Sequence, residues 1–512
     1  MACNGTDPVL SVQDWHYRAE GNTSFVIFNP KTRTILKLRK RCVSKDSCLK
    51  VVADDVQPFQ EFIETAIKPL LGNKFISLAT IIPVNRDFLE TLAKYFEPLR
   101  PVKRLNTQVD VSKQYALCLP DFSFLRYPKK LQSDGPTFCI EIKPKRGFLP
   151  LPGQIPRDLA IKYSVCRYCL LQQFKVQQGI WEKRSHYCPL DLFSCDPSRM
   201  KYSLNMLLEN PQNNLRIFKD GVAIYHVQEK STPSEAEQRK LAEQLQQYFG
   251  DTGAEEDTKD HLLQSSCVQS FLDIIIRALL SSNTKNGVKQ TTRVYAPPHA
   301  LPHAPQTCAE SGYNSWPKEK YPTEVMSSPS ENCILRKLLA AQSSSGLEID
   351  VILPLYERVL HHLQSHPEDC EKYRLDFPYE GDSSCMDKDT KRCLSSLKER
   401  RANGKVDVSG VGIKDAVRLI RDYLIMRTLT DCSIMLAVQL VPPEKRSSLP
   451  WDALLVQSPK GQSYLYSALV VDLDPKPSSK IPTYESLDRK VALEYVKRHQ
   501  NGSAEPSVVT LD

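Results

Sequence analysis

The feature that most constrains this chain is residues 137–150, Thr-Phe-Cys-Ile-Glu-Ile-Lys-Pro-Lys-Arg-Gly-Phe-Leu-Pro. Alternation puts Phe138, Ile140 and Ile142 on one face of a strand and Cys139, Glu141 and Lys143 on the other. Pro144 has no N–H to give to a ladder, so the strand is expected to end there. Lys145 and Arg146 follow, and Gly147 makes a turn. Glu141 and Lys143 therefore share a face beside a cationic loop, which suits the holding of an anion near a polar ligand. Taken alone, the plainer reading is an edge strand with solvated charges.

At 512 residues the chain can form two or more domains or one large two-lobed one. With 41% hydrophobic and 25% charged residues it has the make-up of a soluble globular protein. A net charge of +8 permits a polyanionic ligand without demanding nucleic acid. No apolar run reaches the ~18 residues of a membrane span. The first residues carry neither a signal-peptide core nor a myristoylation signal. Sixteen scattered cysteines then point to reduced thiols in the cytoplasm or nucleus rather than to a disulfide framework. The one Cys-x-x-Cys, Cys166 and Cys169, has no second pair at zinc spacing and reads as packing or surface thiols.

Residues 15–28 and 34–38 read as strands, with a small polar turn at 18–24 and Lys37 facing away from Leu36 and Leu38. Such a hairpin, with a lysine on the next strand, is how kinase-like folds cover and grip ATP phosphates. Residues 55–67 and 85–96 read as helices, and 114–124 as a strand running into Pro120-Asp121. Helical spacing continues over 158–177, 197–208, 232–248 and 261–280, with a strand at 215–218 behind the polar turn Asn213-Asn214. Residues 281–332 are rich in Pro, Ser, Thr and Asn and read as a disordered insertion; its His299, His303 and Cys308 lack a well-placed fourth ligand. Residues 368–407 are polar and loop-prone. An amphipathic helix at 413–426 buries Ala416, Ile420, Tyr423 and Leu424 and leads to Asp431 at the mouth of a buried strand. A second strand, 464–473, would put Asp472 and Asp474 on one face if it persists that far. Two acids at neighbouring strand ends can hold Mg2+ and orient a hydroxyl, although each also reads as a strand-end cap.

There is no P-loop, no His-Arg-Asp or Asp-Phe-Gly, no complete dinucleotide fingerprint and no RNA-recognition signature. What is present resembles the inositol-pentakisphosphate 2-kinases. The resemblance rests on Glu141-Ile142-Lys143-Pro144-Lys145-x-Gly147-Phe148, Cys166-Arg167-Tyr168, Pro189-Leu190-Asp191-Leu192 and Gln212-Asn213-Asn214. It is completed by Asp431-Cys432-Ser433-Ile434-Met435 and Asp472-Leu473-x-x-Lys476-Pro477, in the family's order.

The resemblance implies an α+β fold distantly similar to protein kinases. Residues 1–136 would form a mixed N-terminal lobe covering the nucleotide. Residues 137–280 and 333–512 would form a larger C-terminal lobe with the inositide-binding region, interrupted by the insertion at 281–332. It implies transfer of the ATP γ-phosphate, with Mg2+, to the 2-hydroxyl of inositol 1,3,4,5,6-pentakisphosphate by a monomer in cytoplasm and nucleus. No nucleic acid or membrane partner is implied. By position, Asp431 and Lys143 match the catalytic groups and Asp472 a Mg2+ ligand. Glu20, Gly21, Asn22, Lys37, Asp121, Glu141, Asn213 and Arg216 fall on the nucleotide side. Arg104, Lys145, Arg167, Lys175, Asn214, Lys476, Lys480 and Tyr484 match substrate contacts. Leu171 stands where other members carry a histidine, Thr430 where they often carry a lysine, and the zinc set of the plant members has no counterpart. A substrate with five phosphates needs many cations from separate segments, as found here. A kinase for another inositol polyphosphate and a non-catalytic inositide-binding scaffold stay open.

Overall fold

A computed structural model describes residues 11–21, 23–42, 56–151, 153–227, 232–250, 262–281, 330–378, 401–402, 405–450 and 453–501. Asn22, the segment 282–329 with His299, His303 and Cys308, and most of 379–404 lie outside them. The chain builds two antiparallel sheets. The first is ordered β1 (His16–Glu20), β2 (Ser24–Asn29), β3 (Thr34–Cys42), β6 (Tyr115–Pro120), β4 (Thr80–Pro83), with β5 (Thr107–Val109) on the far part of β3. The second contains β7 (Phe138–Ile142), β8 (Leu215–Lys219), β9 (Val222–Tyr225), β12 (Ser433–Val441), β13 (Leu455–Gln457) and β14 (Ser463–Val471), in the order β13-β14-β12-β7-β8-β9. A short ribbon joins β10 (Arg401–Ala402) to β11 (Lys405–Val406). Helices fill the remainder, which makes the class α+β. Among the described residues no helix is long and apolar enough to cross a membrane.

The edge-strand reading of β7 is overturned. All five of its residues are buried, and it pairs on both sides, Glu141 facing Met435 of β12 and Arg216 of β8. A central strand buries both faces, so Glu141 must find polar partners inside the protein. It does: Ser433 Oγ donates to Glu141 Oε1 at 3.0 Å, and Arg216 Nε lies 2.9 Å from Oε2.

The first hairpin turns later than expected. β1 runs on through Glu20, so Arg18 and Glu20, read as turn residues, are strand residues. The turn closes with Gly21 N–H donating to Ser24 O at 2.9 Å. Leu36 and Leu38 are buried in the core beside Phe25 and Phe88, while Lys37 faces the other side. Asn85 caps the helix Arg86–Phe96 by accepting from Phe88 N–H at 2.8 Å. The helix Val56–Phe62 continues as a π turn, Ile63–Ile67, and its Phe62, Ile63 and Ile67 pack into the core of the second sheet.

The single helix expected over 158–177 is broken in two. A 3-10 segment, Arg157–Tyr163, precedes the helix Arg167–Gln177, because Cys166 adopts an extended backbone and caps the second piece. β14 stops at Val471, and Asp472 takes φ of 60°, so Asp472 and Asp474 do not share a strand face. Three further helices, Ile334–Gln342, Ile349–Ser365 and Ile481–Asn501, have no counterpart in the sequence reading. The stripe Ala416, Ile420, Tyr423 and Leu424 of helix Ile413–Leu429 is buried as expected, against Ile349–Ser365 and Ile481.

Gln342 ties these parts to the opening motif. Fully buried, it donates to Lys145 O at 2.9 Å and Leu429 O at 3.1 Å, and accepts from Gly147 N–H at 3.1 Å. Gly147 is held where a Cβ would overlap the Phe193 ring. We predict that Gly147→Ala, by forcing that ring aside, costs about 1–3 kcal/mol. Differential scanning fluorimetry should register a lower Tm; an unchanged Tm would mean that the ring yields freely.

Candidate functional site

The ends of β7, β12 and β14 meet at one point. Beyond β7, Lys145 takes φ of 60°, as Asp472 does beyond β14. A non-glycine residue in this region costs on the order of 1 kcal/mol, and the surrounding fold must compensate for it. The two kinks aim side chains at each other. Lys143 Nζ is 3.1 Å from Asp472 Oδ2, which also lies 3.1 Å from Ser433 Oγ and shares that hydroxyl with Glu141. Lys145 Nζ and Lys476 Nζ lie 3.5 and 2.9 Å from the two oxygens of Asp431. Lys37, reaching over from the first sheet, donates to both oxygens of Asp474 at 2.8 and 2.9 Å. Each acid thus holds at least one lysine.

Burial raises the Asp431 carboxyl, but Lys476 and Lys145 outweigh it and pull it down to about 2. Burial likewise opposes the Asp472 charge, and Lys143 and Lys37 hold its pKa well below the carboxylate range. Burial disfavours the Lys143 ammonium, yet Asp472 and Glu141 keep its pKa above the ordinary value. Lys145 goes the other way. Burial lowers it to about 8, because Asp431 only partly offsets the desolvation and Lys143 and Lys175 repel its charge.

Two cavities flank this point. The larger, about 500 Å3, opens between the two sheets. Val26, Ile35, Leu119, Phe218, Met435 and Leu469 give it an apolar slot, and Lys37, Lys143, Asp472 and Asp474 a charged end. The smaller, about 190 Å3, is walled by cations: Lys145, Arg146, Arg167, Lys175, Arg427 and Lys476. Asp431 and Lys476 line both. In the smaller cavity the cations disfavour one another. Burial and then Arg427 lower the Arg167 pKa, and burial and then Arg167 lower that of Lys175. Crowded like charges are a standing electrostatic cost that a bound polyanion removes.

The structure brings most of the sequence-derived residues together. Gly21, Lys37, Asp121, Glu141 and Arg216 line the large cavity. Arg104 and Lys480, both assigned to the substrate, lie on this wall, whereas Asn213, assigned to the nucleotide, lies with Asn214, Lys175 and Tyr484 on the small one. Two acids face the large cavity already engaged. Glu20 is enclosed by Lys40 and Arg100, whose Nε donates to Oε1 at 3.0 Å. Asp121 pairs with Arg18 and accepts from Ser123 Oγ at 2.6 Å. Arg167 is tethered by Asp488, 2.8 Å away, which also pairs with Lys162 at 2.5 Å.

Three residues were given no site role in the sequence. Arg18 bolts the sheets together: besides Asp121 it donates to Gly221 O at 2.5 Å and lies over the rings of Phe28 and Phe218, at 4.3 and 4.9 Å. Arg427 sits over the Tyr484 ring at 4.6 Å, on the cavity wall, with its Nε buried and unpartnered. Its signal was its place one turn before Asp431, on the helix that delivers that acid. Trp181 lies under Lys175, 4.2 Å from Nζ to ring, and carries no spacing signal at all.

Asp472 and Asp474 both line the large cavity, Asp472 beside Ser433 Oγ, and carboxylate oxygens of this kind suit a hard divalent cation. The donor set fits Mg2+.

A cleft with an apolar slot and a cation-walled cavity meeting at one carboxylate define a protein that handles polyanions. The chain belongs to the inositol-pentakisphosphate 2-kinase family, whose sequence profile matches residues 17–490. It is 30% identical over 500 residues to the inositol-pentakisphosphate 2-kinase of Danio rerio, covering 96% of this chain and 95% of that one. Against the enzyme of the same name from Arabidopsis thaliana it is 23% identical over 538 residues, covering 96% and 97%. Against that of Drosophila melanogaster it is 26% identical over 301 residues, covering 41% and 48%.

The depressed Lys145 pKa makes anion binding a proton-linked event. Near pH 8 this ammonium is about half ionised, and a bound anion raises its pKa, so binding should take up roughly half a proton. Calorimetry with inositol hexakisphosphate in two buffers of different ionisation enthalpy measures this. The ligand's own phosphates also exchange protons, so the measure is the difference between chains: Lys145→Met should lower proton uptake by about half a proton, and an unchanged buffer dependence in that variant would refute the assignment.

Proposed function

We propose that the chain transfers the γ-phosphoryl group of ATP to the 2-hydroxyl of inositol 1,3,4,5,6-pentakisphosphate, giving inositol hexakisphosphate. The observation that carries this reading is the sharing of Asp431 and Lys476 by the two cavities. A donor in one and an acceptor in the other can meet only there.

On this reading the two sheets belong to the two lobes of a distantly kinase-like fold. ATP lies between them, its base in the apolar slot and its phosphates toward Lys37 and Lys143. Asp472 and Asp474 would hold Mg2+, which would supply positive charge against the phosphates of ATP. The inositide fills the small cavity, its phosphates taken by Lys145, Arg167, Lys175, Arg427 and Lys476. Arrival of those phosphates draws Lys145 and Lys476 away from Asp431, whose carboxylate is then free to accept a hydrogen bond from the 2-hydroxyl. The work of Asp431 is chiefly to aim the hydroxyl, which suffices for a loose transition state. Lys143 stays charged and offsets the negative charge on the moving phosphoryl group.

The test of identity is turnover of labelled ATP against a panel of inositol phosphates, with the product position assigned by NMR. The pentakisphosphate lacking only the 2-phosphate should be preferred. Asp431→Asn should lose at least ~10²-fold in turnover while inositide affinity holds or rises, since the change frees Lys145 and Lys476. Near-normal turnover of that variant would remove Asp431 from the mechanism. Inositide affinity should also fall more steeply with added salt than ATP affinity, because more cations face the inositide. Equal salt slopes by calorimetry would count against a dedicated polyphosphate cavity.

A further inference from the structure

Past the end of the helix Arg167–Gln177 the chain turns back on itself, with Gly179 at φ of 64°. Gly179 N–H donates to Val176 O at 3.0 Å and Ile180 N–H to Lys175 O at 2.9 Å, the double closure that a left-handed glycine permits at a helix C-terminus. Trp181 N–H adds a second bond to Lys175 O, at 3.3 Å. The turn is thus pinned to the backbone of Lys175, and it lays the Trp181 ring under that residue's side chain, 4.2 Å from Nζ to centroid. Both residues are half-buried and line the small cavity. Lys175 is held differently from its neighbours there. Lys145 and Lys476 rest on Asp431, Arg146 on Glu348 and Arg167 on Asp488. Among the described residues Lys175 has no ion-pair partner, and Asp431 acts on its charge only from a distance. The indole ring is what it rests on.

The two kinds of support have different consequences. A carboxylate neutralises the ammonium it holds, and an arriving phosphate must displace it. A ring face holds an ammonium through its quadrupole and adds no net charge. An ammonium has three donors, and a ring engages one side of it, so the others remain for a phosphate. We propose that Trp181 is a positioning residue of the acceptor site: it keeps Lys175 ordered, charged and uncommitted, so that a substrate phosphate adds to this lysine without displacing an acid. The inference rests on the reading of the small cavity given above and deepens it. Lys175 lines the small cavity alone, whereas Lys143 and Asp472 line the large one. Trp181 therefore acts on the hold of the inositide equally before and during transfer, and its loss raises KM rather than lowering kcat.

The experiment compares Trp181→Leu with the unmodified full-length chain, using inositol hexakisphosphate in calorimetry and the pentakisphosphate in turnover. Loss of the ring should weaken hexakisphosphate binding about 3- to 10-fold, the range of a partly exposed cation–π contact. KM for the pentakisphosphate should rise in step, while kcat and the KM for ATP hold. Trp181→Phe should recover part of the loss. In a Lys175→Met background Trp181→Leu should change affinity no further, because the lysine through which it acts is gone. A second series replaces Trp181 alone by tryptophan carrying one, two or three ring fluorines, which thin the electron density of the face and leave its shape nearly intact. Affinity should fall stepwise along that series, a readout that stands even if Trp181→Leu fails to fold. Affinity indifferent to both Trp181→Leu and fluorination overturns the proposal. So does an equal loss in the Lys175→Met background, or a fall in kcat with KM unmoved. Those outcomes leave the acceptor-site reading in place. Absence of hexakisphosphate binding by the unmodified chain would bring down that reading and this proposal with it.

Discussion

Everything at this site depends on keeping several positive charges close together before a negative ligand arrives. Lys143, Lys145, Lys476 and Lys37 converge from both sheets, and unscreened they would push the strand ends apart. The structure answers with Asp472, Asp431 and Asp474, one acid for each lysine or pair. These pairs are partly exposed, so each contributes little to stability by itself. What they supply is position. A lysine held 3 Å from a carboxylate is ordered and charged, and a phosphate can take it over by exchange rather than by capture of a free side chain. On the proposed reading, the acids displaced in that exchange would be the groups that address metal and hydroxyl.

Behind that front the supports are buried and hydrogen-bonded. Glu141 receives Arg216 and Ser433 from the two strands flanking β7, and Ser433 passes on to Asp472. Four strand ends are thereby locked in register by one chain of contacts. Arg146 pairs with Glu348, and Lys162 with Asp350 and Asp488, so the helices at 349–365 and 481–501 are fixed to the cation wall by charges of their own. Removing one member of such a buried pair strands the other, which costs far more than the pair contributes when intact.

Local chemistry made some of this legible. Alternation located β7, the strand-end acids and Lys37, and the apolar stripe located helix Ile413–Leu429, since each signal needs only neighbours in sequence. What failed needed distant partners. β7 reads as an edge strand because Glu141 and Lys143 look solvated until Arg216 and Asp472 are set beside them. Residues 158–177 read as one helix because the capping role of Cys166 has no periodic signature. The continuous strand into Asp474 was excluded by a left-handed Asp472, a conformation that a non-glycine residue does not advertise. The helices at 334–342 and 349–365 were obscured by the polar segments on either side. For the candidate site, the residue types were legible and their sorting was not: Arg104, Lys480 and Asn213 changed cavities, Arg18 left the turn for the strand, and Arg427 and Trp181 joined from outside every motif.

Gln342 has a consequence for how such chains diverge. Helix Ser266–Leu280 ends and helix Ile334–Gln342 begins within one packed core, and the second is pinned to Lys145, Gly147 and Leu429 at its last residue. The connection between the two helices thus starts and finishes on anchored ground. The entropic cost of closing a connection grows only logarithmically with its length. Insertions and deletions of tens of residues can therefore accumulate there across lineages while the catalytic register is inherited unchanged. Gaps in comparisons between relatives should concentrate in this interval and stop abruptly at its two helical ends.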